Sequence, residues 1–470
     1  MKNIEESRIG IFVCHCGFNI GGVVDIPTVV NYAKTLPDVV CAEENLYTCS
    51  STGLSLIKDC IKKYGLNRVV VASCTPASHE PLFRSTCEEA GLNKYLFEMV
   101  NIREHSSWVH MKYPREATEK AKDLIRMAVA KARHLQPREE IELEINPSAL
   151  VVGGGISGIT AAVSLARQGF EIHLVEMEVE LGGMLRDLHK LQPTGRDASK
   201  VLQEAVAAVK SNSNIHLHMS TRVKEVDGFI GNFNVTLQKG ESRDDLEQLK
   251  VGTIIVATGA ESFKPVGKHG YRDYENVVTQ LELEQLLKSK ELGEHRHVVM
   301  IQCVGSREKT GRTYCSRICC MVALNNALLL KKLYPESEVT ILFRDLQTYG
   351  DYEDCYREAR AKFINFIRYD EDKPPQVISK PDAGLVVRVF DTYLGMDVEL
   401  DSDLVVLSTP LVQHEAGREL SPALKVPLGT DGFFFEAHPK LRPVDFTSDG
   451  IFVCGTAHGP KDITESIAQA

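Results

Sequence analysis

The 470 residues carry a formal net charge of −10 and are 43% hydrophobic and 25% charged, which excludes a disordered chain and asks for two or three domains with room for a large cofactor. The acidic balance argues against sequence-independent binding of nucleic acid or anionic lipid. No apolar run reaches the ~18 residues of a membrane helix and the start MKNIEESRIG lacks signal-peptide order, so a cytoplasmic chain with no membrane association is expected.

Residues 1–135 alternate apolar strands (RIGIFVC, DVVCAEEN, NRVVVASC, KYLFEMV) with helical patterns, among them one from about His79 to Ala90 and a long basic one within Lys112–Arg138. Continuous apolar strands between amphipathic helices predict a parallel sheet covered on both faces. The linker HLQPREEIELEINP closes this domain, expected over 1–140. A second αβ region opens with SALVVGG and is expected to carry a dinucleotide fold in two parts, 146–284 and 411–470. Between them an inserted αβ lobe, 285–410, has the strands HVVMIQCV, EVTILF and DLVVLST. LQKGESRDDLEQLK reads as a loop or hairpin tip, and DITESIAQA as a helix that stops without a polar tail, as if the chain were cut short of its natural end.

The segment ALVVGGGISG places Gly153, Gly155 and Gly158 in a G-x-G-x-x-G turn opening a helix that includes Ile156 and Ser157. Such a turn admits the pyrophosphate of a dinucleotide close to the backbone, on the helix N-terminus. Glu176, about 20 residues on, suits a ribose diol and repels a 2′-phosphate. The segment LGGML with Gly183, Met184 and Leu185, the TIIVATGA turn with Ala257, Thr258 and Gly259, and the closing segment GIFVCGTAHGPKDITESIAQA with Gly455, Thr456 and Ile463 favour FAD over NAD, and Met177 and Val223 are expected among the cofactor contacts. These turns resemble two-dinucleotide flavoproteins, which usually carry aspartate where this chain has Thr456.

Thirteen cysteines in a cytosolic chain favour metal or redox chemistry over disulfides. Cys14, Cys16, Cys49 and Cys74 fall at the carboxyl ends of three expected parallel strands, where open αβ sheets bind ligands. They suit a four-cysteine cluster, with a cluster-free core as the alternative. Cys41, Cys60 and Cys87 read as ordinary buried residues. In the inserted lobe the strand HVVMIQCVG offers one glycine where a nicotinamide-nucleotide fingerprint needs three. Cys303, Cys315, Cys319 and Cys320 occupy its place with Arg307, Arg312 and Arg317 among them. A [4Fe–4S] cluster suits this set, making two in all; reduced core cysteines or zinc are the alternatives.

The motifs VCHCGFNIGGVVD, LYTCS, ASCTPASHEPLFR, VVGGGISGITAA, CVGSREKTGRTYCSRICC and IFVCGTAHGPKDITESIAQA resemble the A-type component of heterodisulfide reductase, its FAD-bearing iron–sulfur subunit, through nearly the whole chain. The resemblance implies an α/β fold: an N-terminal parallel αβ domain followed by a thioredoxin-reductase-like FAD domain with an inserted second lobe. It also implies an electron-bifurcating oxidoreductase working in a hetero-oligomer with other subunits and a hydrogenase or dehydrogenase donor. The ferredoxin-type C-x-x-C-x-x-C runs common in that family are absent from this sequence. A stand-alone NAD(P)H-linked thiol or disulfide reductase, and a cofactor-bearing assembly scaffold, are the competing functions.

Overall fold

A computed structural model describes residues 6–191, 194–240, 242, 245–289, 292–293, 296–380 and 384–470. The chain divides into two compact units, Met1–Leu143 and Glu144–Ala470.

In the first unit the strands β1 (Ile9–Cys14), β2 (Val39–Asn45), β3 (Arg68–Ser73) and β4 (Phe97–Asn101) form one sheet of order β2-β1-β3-β4. Every pairing is parallel. β1 and β3 are buried at every residue, because helices cover both faces. These are α1 (Phe18–Gly21), α2 (Ile26–Ala33), α3 (Ser51–Tyr64), α4 (Pro76–Glu89) and α5 (Pro114–Ala132). One core cluster joins Ile9, Ile11 and Val13 to Ile125 and Val129, and a second joins Phe12, Val69 and Val71 to Phe83 and Phe97.

One helix limit differs from that expected. α4 begins at Pro76 rather than near His79, since proline after Thr75 needs no N–H bond and has the φ of a first helical residue. α5 lies within Lys112–Arg138 and stops at Ala132, just before the linker that opens at His134, where the ring of Pro137 excludes a further helical turn.

The second unit repeats one plan twice. Its first parallel sheet has the order Ile451–Val453, Thr253–Val256, Ala149–Val152, Ile172–Val175, Ile215–His218. The second has the order Val277–Thr279, Leu404–Leu407, His297–Ile301, Glu338–Phe343, Asn365–Arg368. An antiparallel three-stranded sheet accompanies each, Thr221–Phe229 to Leu246–Val251 in one and Gln376–Ser379 to Met396–Ser402 in the other. The second sheet is built from chain lying between Thr253–Val256 and Ile451–Val453, so one αβ lobe is inserted in another. The connections between lobes pair as a short antiparallel ladder, Ala260 to Gln413. The fold is α/β, with an αβ lobe inserted in a dinucleotide-binding fold.

Candidate functional site

The strand Ala149–Val152 runs into Gly153, whose φ of 111° is open to glycine and strained for other residues. A Cβ on Gly158 would stand 1.8 Å from the Gly153 carbonyl oxygen, so only glycine lets the helix Ile156–Arg167 start this close to its strand. Glu176 is buried and accepts from the N–H groups of Gly154 (2.6 Å) and Glu178 (2.8 Å). These features open on a cavity of about 980 Å³.

Its walls include Gly153, Gly155, Ile156, Ser157, Glu176, Met177, Gly183, Met184, Leu185, Val223, Ala257, Thr258, Gly259, Thr456 and Ile463. Gly158 and Gly455 stand behind the wall, the latter donating its N–H to Gln469 Oε1 at 3.0 Å. Three side-chain atoms of lining residues are buried with no partner: Thr258 Oγ1, His189 Nδ1 and Asn325 Nδ2. Buried polar atoms are normally satisfied, so this lining fits a polar guest. A Cβ on Gly155 would meet nothing within 4 Å, leaving the helix start open for a diphosphate. The residues fit FAD.

In the first unit Cys14 ends β1, Cys49 precedes the N-cap of α3, and Cys74 precedes that of α4. Cys16 holds a φ of 47°, rare for a side chain of its kind. Cys14 Sγ accepts from the N–H groups of Cys16 (3.2 Å) and Thr48 (3.4 Å). Arg103 Nη1 lies 3.7 Å from Cys16 Sγ, its guanidinium stacked 4.8 Å above the Trp108 ring. Burial pushes the Cys49 thiol up, and the fields of Cys14 and Cys16 add to it. Burial also raises Cys74, with Arg103 opposing and Cys16 and Cys14 reinforcing. The four thiols thus share one edge of the sheet. His15 bonds Glu44 at 3.0 Å, while Cys41, Cys60 and Cys87 are buried within β2, α3 and α4.

The other set follows the strand His297–Ile301. Cys303 has a φ of 60°, Arg307 one of 56° and Arg317 one of 61°. Three strained residues in one loop need strong support. Arg307 pairs with Asp345 at 2.6 Å, Arg344 donates to the carbonyls of Ser306 and Arg307 at 3.0 Å, and Arg312 donates to Gly305 O at 2.7 Å. The loop ends where Cys319 and Cys320 open the helix Cys319–Leu333. Burial drives the Cys319 thiol well up, helped by the fields of Cys320, Cys303 and Cys315. Burial likewise pushes Cys320 up to about 12, with Cys303 and Cys315 reinforcing and Arg307 opposing. The N–H of Arg317 donates to Cys315 Sγ at 3.3 Å. Among the described residues no three His, Cys, Asp or Glu side chains are arranged for a single metal ion; a four-iron cluster is instead held at separate irons.

Sequence reasoning missed Arg103, Glu284, Asn325 and Lys461. Glu284 lines the cavity, 7% exposed, and burial raises its carboxyl to about 7 against the N–H of His189 at 3.1 Å. Arg103, Glu284 and Asn325 lie outside the quoted motifs, and nothing in the spacing of IFVCGTAHGPKDITESIAQA singles out Lys461. Cys454 is buried in the first sheet's edge, its thiol pushed up to about 12 by burial, as suits a small core residue. Among the described residues no helix is long and apolar enough to cross a membrane.

Residues 147–301 match the family model described as pyridine nucleotide-disulphide oxidoreductase. The chain is 41% identical over 558 positions to the A-type component of the H(2):CoB-CoM heterodisulfide,ferredoxin reductase of Methanothermobacter marburgensis, covering 100% of this chain and 84% of the relative. It is 39% identical to the second A-type iron–sulfur component of the CoB–CoM heterodisulfide reductase of Methanopyrus kandleri, with 99% and 84% covered. Among solved structures, Lactococcus lactis thioredoxin reductase aligns at 18% identity with a TM-score of 0.48, over 69% of this chain and 95% of that one.

Proposed function

Since the chain belongs to the family of A-type heterodisulfide reductase components and is an oxidoreductase, we propose that it is the FAD- and iron–sulfur-carrying electron-transfer subunit of a heterodisulfide-reductase-type complex. The observation that carries the proposal is the pairing, within Glu144–Ala470, of a cavity whose lining fits FAD with four cysteines gathered by a strained, arginine-braced loop.

In this reading Gly153, Gly155 and the start of the helix Ile156–Arg167 hold the diphosphate, and Glu176 holds the ribose. Thr258 Oγ1, His189 Nδ1 and Asn325 Nδ2 supply polar contacts now without partners. Bound FAD takes up an electron pair and releases electrons singly, which suits exchange with one-electron clusters. Cys303, Cys315, Cys319 and Cys320 hold one [4Fe–4S] cluster; Cys14, Cys16, Cys49 and Cys74 hold another. Backbone N–H groups on Cys14 Sγ and Cys315 Sγ, and Arg103 beside Cys16 Sγ, would be the hydrogen bonds to sulfur that tune such clusters. The partners are the complex's other subunits and a hydrogenase or dehydrogenase, in the cytoplasm; division of the electron pair between two acceptors is part of the same proposal.

Iron, acid-labile sulfide and flavin are to be measured on anaerobically purified protein, with low-temperature EPR after reduction. One FAD and about eight irons are expected, falling by about four in Cys320→Ser and in Cys14→Ser. FAD without iron after anaerobic reconstitution overturns the reading and favours a thiol-based reductase.

A further inference from the structure

Lys461 is half-buried and lines the same cavity. Its Nζ donates to the carbonyls of Gly455 (3.1 Å) and Gly459 (3.2 Å). The nearby carboxylates are engaged elsewhere: Glu436 holds His458 at 2.9 Å, and Glu465 holds Arg317 and closes the capping box of the helix Ile463–Gln469. Among the described residues Lys461 forms no ion pair, although ten other lysines do. A cation taken partly out of water without a counter-ion is costly to its fold. Burial accordingly lowers its ammonium to about 8, with Glu465 opposing and Arg317 adding to the shift. Two carbonyl oxygens hold the group in place but cannot balance its charge.

Resting on the flavoprotein reading above, we propose that the Lys461 ammonium is the counter-ion for the negative charge that bound FAD gains on reduction. Two electrons from the reductant and one proton from solvent leave the ring with one net negative charge. Lys461 balances that charge and keeps its own proton. A cation placed for the reduced form favours it over the oxidised form, so the residue raises the reduction potential without changing how the neutral ring is gripped.

The test titrates the full chain with oxidised FAD and with dithionite-reduced FAD, for the parent, Lys461→Gln and Lys461→Arg, and measures the potential of the loaded proteins. Lys461→Gln is expected to bind oxidised FAD about as the parent does and reduced FAD at least tenfold more weakly, which is a fall of about 30 mV for this two-electron couple. Lys461→Arg is expected to keep the parent ratio. The ratio is readable even in a variant that binds both forms weakly. An unchanged ratio in Lys461→Gln, or an equal loss in Lys461→Arg, overturns the role of Lys461 while leaving the flavoprotein reading intact. A parent chain that takes up neither form of FAD overturns both.

Discussion

At the scale of single residues, close approach and burial decide more than side-chain chemistry. Gly158→Ala would put a methyl group 1.8 Å from the Gly153 oxygen, and the backbone between them has nowhere to go. The expected outcome is a protein that folds but retains little FAD, checked by its flavin-to-protein absorbance ratio; normal flavin content would mean that the helix start shifts freely. Glu284 bears on pH. Its carboxyl, at about 7 when folded against 4.5 ordinarily, keeps its proton longer in the folded chain. Stability from this group is therefore full below pH 4.5 and is lost as pH rises through about 7. Glu284→Gln should stabilise the flavin-free chain at pH 8 by up to about 3 kcal/mol and leave it nearly unchanged at pH 4.5. Denaturation curves for the two proteins that stay parallel from pH 4.5 to 8 would refute this.

At the scale of elements, the helix Ile463–Gln469 shows how a short segment is held. Asp462 caps it by accepting from Glu465 N at 2.8 Å, and Tyr352 of the inserted lobe donates to the same carboxylate at 2.7 Å. Asp462→Ala is expected to cost about 1 kcal/mol for the cap alone, and more if the Tyr352 hydroxyl finds no water. Tyr352→Phe keeps the cap and removes only the link, so thermal unfolding of the two variants separates the contributions. The helix boundary that differed from expectation, at Pro76, has a local cause in proline geometry that periodicity alone does not register.

At the scale of the whole molecule, residues 136–145 join the two compact units with an exposed segment that lacks regular structure. Limited proteolysis should cut there first, giving two stable fragments; if each cysteine set holds its own cluster, iron is expected in both. Early cleavage inside either unit would argue against this division. The alignment with the Methanothermobacter marburgensis relative runs over 558 positions against 470 residues here, so at least 88 of its positions have no counterpart in this chain. Electron routes that relatives build from those residues cannot be carried over.

The α/β class was legible in the sequence, and the glycine turn, its acidic neighbour and the two sets of four cysteines stood out there as candidates, because each rests on a constraint that periodicity or position along a strand exposes. Strands buried on both faces read as apolar runs, a positive φ asks for glycine, and Cys303, Cys315, Cys319 and Cys320 crowd into one short segment, whereas Cys14, Cys16, Cys49 and Cys74 are grouped only through the ends of three strands. The sequence by itself thus determined which chemistry this chain can carry. Only the tertiary structure decided what surrounds that chemistry. Arg103 reaches Cys16 from 87 residues away, and Arg317 meets Glu465 across 148. Glu284 is shifted by burial between elements, and among the described residues Lys461 has no counter-ion because its neighbours are paired elsewhere. The physical reason is range: backbone conformation and ligand spacing are set within a few residues, whereas desolvation and the pairing of charges depend on which distant segments the fold brings together.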